Sequence, residues 1–148
     1  MKKMKKIYSQ KSPFSFIAGF IIITSVLILS SCSRKMTFGT SSVVPAATGS
    51  VKIKKSKNDN YNIDLKTTYL AKPEQLTPPK NVYVVWMRTE DNQVKNIGKI
   101  KSSSGFLSKT LKGELNATST SKPTSFFITA ENDGNIQYPG NEVVLQTK

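Results

Sequence analysis

The sequence predicts an all-β protein, an antiparallel immunoglobulin-like β-sandwich of about seven strands after an N-terminal apolar helix. Three observations predict it. Apolar residues recur at every second position over Gly49–Lys55 and Tyr61–Lys72, the period of a strand with one wet face. Two runs rich in β-branched and aromatic residues, Asn81–Thr89 and Pro123–Glu131, are bounded by clusters of Asn, Asp, Gly, Pro and Ser, which punctuate short strands. Beyond the N-terminal apolar run, no stretch shows a convincing amphipathic helix.

Taken in order, the chain opens with Lys2, Lys3, Lys5, Lys6 and Lys11 and no acid, then carries no charge until Arg34. Within that gap Phe14–Leu29 is mostly Phe, Ile, Leu and Val. A basic head, an apolar centre and small residues before a boundary form the layout of a secretory signal. The positive head stays in the cytoplasm, and the chain beyond the apolar run is exported. The run ends at Leu29-Ser30-Ser31-Cys32, which holds the one cysteine of the chain.

That boundary resembles a bacterial lipoprotein signal, whose pattern is an aliphatic residue, two small residues and a cysteine. The resemblance implies a signal peptide over 1–31, cleavage after Ser31, and a diacylglyceryl group and an N-acyl chain on Cys32. A thiol suits the first step because its thiolate is a good nucleophile. Each buried methylene contributes about 0.8 kcal/mol and one chain anchors only marginally, so two or three are needed for a lasting hold. Ser33 is not the acidic residue that retains such proteins at the inner membrane of enteric bacteria. The implied address is therefore the cell envelope, lipid-anchored in the outer membrane and facing the periplasm. An uncleaved membrane helix is the other reading, since the sixteen residues of Phe14–Leu29 fall just short of the roughly 17–25 of a usual span.

Residues 32–48 continue as small, polar sequence broken by Gly39 and Pro45. They are expected to form a flexible tether, about 20–25 Å long by random-coil scaling. The strand domain is expected over 49–148. Gly49–Lys55 and Tyr61–Lys72 make a hairpin through Asn58-Asp59-Asn60, residue types that tolerate positive φ. A proline-bounded connection, Lys72–Lys80, leads to Asn81–Thr89, which carries the only tryptophan, Trp86. Glu90–Gln93 turns the chain into Val94–Lys101, with Ile97 and Ile100 inward. Ser102–Gly105 breaks it again, Phe106–Leu115 is assigned to a strand, and Asn116–Lys122 reads as a loop. Pro123–Glu131 and Glu142–Thr147 are the last strands, separated by turns at Asn132–Asn135 and Tyr138–Asn141.

The strand Tyr83-Val-Val-Trp86, its polar turn and the Gly98-Lys-Ile100 return come first. Phe126–Glu131, Pro139-Gly140 and Val143–Leu145 come after them. Together these motifs resemble the extracytoplasmic C-terminal β-sandwich domain of anti-sigma-K factors over residues 81–147. They are fold-determining rather than catalytic. The chain departs from that family ahead of the apolar run, where eleven basic-headed residues stand in place of a sigma-binding domain. The resemblance thus implies an outer domain alone, one that cannot sequester a sigma factor.

Composition narrows the chemistry. The formal net charge is +13, with 22 basic and nine acidic residues and no histidine. The five lysines of the leader leave 17 basic residues in the remainder, a net charge near +8. The densest group is Lys52, Lys54, Lys55 and Lys57. A solvated strand face is one reading of it. Attraction to an anionic polymer or lipid head groups is the other; nucleic acid fits least, because no aromatics interleave the lysines. Without histidine, or a cysteine beyond the anchor, His-based triads, disulfides and most zinc or copper sites are excluded. Nothing resembles the Ser-x-x-Lys helix that some Ser-Lys enzymes use; Ser9 and Ser12 fall in the signal and Ser33-Arg34-Lys35 in the tether. Glu90/Asp91 and Glu131/Asp133 stand at hairpin ends, where acids serve the backbone. Glu131–Asn135 lacks the full ligand set of a calcium loop. Asn116-Ala117-Thr118 matches a glycosylation sequon that has no meaning in a bacterial lipoprotein.

No catalytic residue, metal or dissociable cofactor is therefore expected. Among the aromatics Tyr61, Tyr69, Tyr83, Trp86 and Tyr138, core packing is the default. Tyr138, beside Pro139-Gly140, is the best candidate for an exposed contact. The candidate ligand surface is Tyr138 with Lys52, Lys54 and Lys55. The expectation is a non-enzymatic, membrane-tethered interaction module with an envelope protein partner. A salt-sensitive binder of anionic envelope polymers or lipid head groups and an accessory in envelope signalling are the alternatives.

Overall fold

Two antiparallel sheets enclose one core in the computed structural model, which describes residues 33–104 and 111–148. The signal segment, with Leu29, Ser30, Ser31 and Cys32, lies outside the described residues. The strands are β1 (Ser33–Thr37), β2 (Thr48–Lys55), β3 (Tyr61–Thr68), β4 (Val82–Thr89), β5 (Val94–Lys99), β6 (Lys101–Ser104), β7 (Leu111–Ser119), β8 (Pro123–Glu131) and β9 (Val143–Gln146). One sheet has the order β1-β2-β3-β7-β6 and the other β5-β4-β8-β9. The seven expected strands are β2, β3, β4, β5, β7, β8 and β9; the short edge strands β1 and β6 add to them. With β1 set aside, the order β2-β3-β7-β6 facing β5-β4-β8-β9 is the A-B-E-D over C-F-G arrangement of an immunoglobulin sandwich, β5 lying outside the C position. The only helical element among the described residues is a 3₁₀ turn at Pro73–Gln75, and no helix there is long and apolar enough to cross a membrane.

Alternation builds the core. Val51, Ile53, Ile63, Leu65 and Thr67 of the first sheet are buried against Tyr83, Val85, Met87, Phe126, Ile128 and Ala130 of the second. Their intervening neighbours Lys52, Lys54, Asn62 and Lys66 stay in water. Each fully buried Leu, Ile, Phe or Met contributes about 1.5–3 kcal/mol. The pleat enforces the register, because a slip by one residue would turn Lys52, Lys54 and Lys66 inward.

The second sheet is apolar on both faces. Val84, Trp86 and Phe127 form a separate cluster on its outer side, with Val82, Val94 and Ile136 packed against it. The cover comes from the β8–β9 connection. Asn96 donates from Nδ2 to the carbonyls of Gly134 and Ile136 at 3.1 and 2.9 Å, and Asn81 donates to that of Asn132 at 3.0 Å. Trp86 is fully buried and its Nε1–H donates to Thr129 Oγ1 at 2.8 Å. Opposite Val85 and Trp86 the β5 ladder shifts register, and Gly98 sits there with φ of +132°, a conformation that glycine adopts without strain.

Two expectations are corrected. The flexible tether over 32–48 is folded wherever it is described, and the sandwich begins at Ser33 rather than residue 49. β1 pairs with β2 over its whole length, and Met36, Phe38, Val44 and Ala47 are buried. Beyond Thr37 the chain crosses to the other sheet. Gly39 N–H donates to the Gln146 carbonyl at 2.8 Å and Lys148 N–H to that of Thr37 at 3.1 Å, with Phe38 bridging to Thr147. The Ser41 hydroxyl accepts the amides of Val43 and Val44 at 3.2 and 2.8 Å. A β-carbon on Gly49 would stand 2.7 Å from the Lys66 carbonyl and 3.0 Å from the Phe38 ring, so the bare backbone there makes room for Phe38. The second correction concerns Asn116–Lys122. Its first half extends β7, because Leu115 and Ala117 lie opposite Leu65 and Ile63 and share their inward face.

Candidate functional site

The lysines singled out by sequence do not converge on one point. Val51 and Ile53 point into the core, so Lys52 and Lys54 share the solvent face of the first sheet. Lys55 has the other parity. It stands opposite Tyr61 at the sheet end, with Nζ 2.7 Å from Asp59 Oδ1. The hydrogen bond that Lys55 donates to Asp59, and then the partner's opposite charge, raises the Lys55 pKa and lowers that of Asp59. Asp59 has φ of +60°, as a tight turn between β2 and β3 requires.

β1 supplies what the sequence reading missed. Lys35 lies directly opposite Lys52, and Ser33 opposite Lys54. On the other side Lys52 faces Asp64 and Lys54 faces Asn62. A shallow cleft of about 310 Å³ runs between Ser33, Lys35, Ser50, Lys52, Asp64 and Lys66. Arg34 and Lys35 lie in the stretch read as tether. Their one signal was the alternation of Lys35 and Thr37 with Met36 and Phe38, too short to be decisive by itself.

Tyr138 stands on the β8–β9 connection, 81% exposed. The connection is held beneath it by the Gly140 amide, which donates to Glu131 Oε1 at 2.8 Å. Tyr69 is also exposed, Tyr61 is half-buried, and Tyr83 and Trp86 are core. The aromatics therefore do not assemble into a common platform.

The acids serve the backbone and surface. Glu131 is buried as the acceptor just described, Asp133 accepts the Asn135 amide at 2.9 Å, and Glu90 pairs with Lys122 at 2.8 Å. Among the described residues no group of three or more metal-ligating side chains occurs. A second cavity, about 290 Å³, is lined by Lys72, Pro73, Glu74, Asn81, Val82, Tyr83 and Ile100. The Tyr83 hydroxyl is buried without a hydrogen-bond partner. Burial, and then the carboxylates of Glu142 and Glu74, push its pKa up to about 12, so at neutral pH the hydroxyl keeps its proton.

Compared with protein-family models, with curated proteins and with solved structures, the chain shows no significant match.

Proposed function

We propose that the protein is a lipid-anchored module of the cell envelope, a non-enzymatic β-sandwich that binds another envelope component. The observation that carries the reading is Leu29-Ser30-Ser31-Cys32 at the end of an apolar run, one residue ahead of the first strand at Ser33. Acylation there would join the anchor to the fold with no slack between them. The module would then work at the bilayer surface, with the outer membrane facing the periplasm as its address. The second sheet, with Tyr138 on the loop that covers it, is the face offered to the partner. The likeness to an anti-sigma-K outer domain supports the same class of role.

Metabolic labelling with a clickable fatty acid tests the anchor, together with mass spectrometry of the N-terminal peptide. The wild type is expected to incorporate label and to begin at Cys32. Cys32→Ser is expected to take no label and to retain residues 1–31. Material that begins at Met1 with an unmodified thiol, and that washes off membranes, would end this reading. A photo-crosslinker at position 138 then captures the partner in intact cells.

A further inference from the structure

We infer that the solvent face of β1 and β2 is a docking surface for anionic phospholipid head groups and lays the first sheet against the membrane. This rests on the anchored reading only for where the chain leaves the bilayer. On that face of β1 and β2 stand Lys35, Lys52 and Lys54 and no acid; Arg34, opposite Ile53, and Lys55 have the other parity. Lys35 and Lys52 are cross-strand partners, and like charges directly opposite one another destabilise a sheet. Among the described residues no carboxylate comes within 4.0 Å of Lys35, Lys52 or Lys54; Asp64, the nearest in register, has its contact with Lys66, at 4.0 Å. The acids of this face, Asp64 and Glu114, stand on the inner strands β3 and β7, with Asp64 opposite Lys52. Positive charge is thus gathered at one edge at the expense of the fold's own stability, an arrangement that an external anion would relieve.

Position selects the anion. Ser33 projects from this same face, opposite Lys54, and is the residue after Cys32. Neighbouring strands lie about 4.8 Å apart, so a membrane-held Cys32 brings Lys54 to within about a Debye length of 8 Å from the head groups, and Lys35 and Lys52, about 10 Å along the strand, reach that zone when the sheet lies flat on the surface. Juxtamembrane cations in that zone gain from the anionic surface potential, and the anchor makes the encounter intramolecular. The cleft between Lys35, Lys52 and Lys66, where three cations outnumber the one carboxylate of Asp64, offers a place for a phosphate group. A soluble polymer enjoys no such proximity.

The test is lysine acetylation footprinting, read by mass spectrometry, of the mature acylated protein on vesicles. On phosphatidylglycerol vesicles, acetylation of Lys35, Lys52 and Lys54 is expected to slow by at least about threefold relative to phosphatidylcholine, and to recover in high salt. Lys80 and Lys99 are expected to be unaffected. Lys35→Glu replaces the like-charge pair by an opposite one, so it should melt no lower than wild type while losing that protection. Equal labelling on the two lipids would overturn the inference. So would equal protection by a soluble polyanion such as dextran sulfate without vesicles, which would assign the face to a polymer. Failure of the anchor is read separately, as release from phosphatidylcholine vesicles, and the labelling contrast on phosphatidylglycerol still decides the docking face.

Discussion

Phe38→Ala distinguishes a folded N-terminal segment from a slack one. Phe38 is 8% exposed and bridges to Thr147 where the chain passes from one sheet to the other. A substitution in a solvated tether changes stability by no more than about 0.5 kcal/mol. Truncating a buried Phe to Ala costs about 3–5 kcal/mol. Phe38 packs near an edge, where the site can partly collapse, so the low end of that range applies. With about 4 °C lost per kcal/mol in a domain of this size, the melting temperature falls by roughly 12 °C. Trp86 is the only tryptophan and is fully buried, so its emission tracks urea unfolding directly. The expected result is a lower midpoint at an unchanged slope. Ser42→Ala, exposed in the same segment, serves as the control. A loss below about 1 kcal/mol would refute the packing described for this segment.

Two further outcomes concern buried polar atoms. Trp86→Phe removes the Nε1 donor to Thr129 and is expected to cost about 2 kcal/mol. Thr129→Val should add much less on top of it than alone, with a coupling above about 0.5 kcal/mol in a urea double-mutant cycle. For Tyr83 the folded pKa of about 12 stands above the ordinary 10.0. Above pH 10 the unfolded chain sheds a proton that the native state retains. The Tyr83 contribution is therefore fully present below pH 10 and is lost as pH rises toward 12, by up to about 2 kcal/mol. Urea midpoints measured against pH should fall less steeply in Tyr83→Phe. At pH 7 that variant should be no less stable than wild type, because the hydroxyl it removes has no partner; a loss above about 1 kcal/mol there would mean the hydroxyl is bonded.

Much of the fold was legible where one strand carries its own evidence. The alternation of Val51, Ile53, Ile63 and Leu65 gave β2 and β3 their faces, and Asp59 gave their turn. The apolar run of β4 gave a strand covered on both sides, although not what covers it. Its outer cover is the β8–β9 connection with Ile136, tied by Asn96, and nothing local in Asn132–Glu142 marks that stretch as a lid. At the candidate site, Lys52 and Lys54 were legible as a wet face, whereas Lys35 was not. Its strand has five residues, too few for a period to declare itself, and small polar neighbours hide it. Lys55 was grouped with the other lysines by proximity in sequence, yet its parity and Asp59 turn it aside.

By itself the sequence determined the all-β class, the strand parity and most turns, because these depend on neighbours two to four residues apart. It also determined that histidine-based chemistry is absent, a matter of composition alone. Only the tertiary structure decided that residues 33–47 are part of the sandwich, that Lys35 meets Lys52, and that Trp86 is roofed by a distant loop. Each of these depends on side chains that become neighbours only when strands far apart in the chain pair. Burial of Met36 and Phe38 is favourable only once β2 and β9 are in place to receive them, and no local pattern can announce a partner that has yet to arrive.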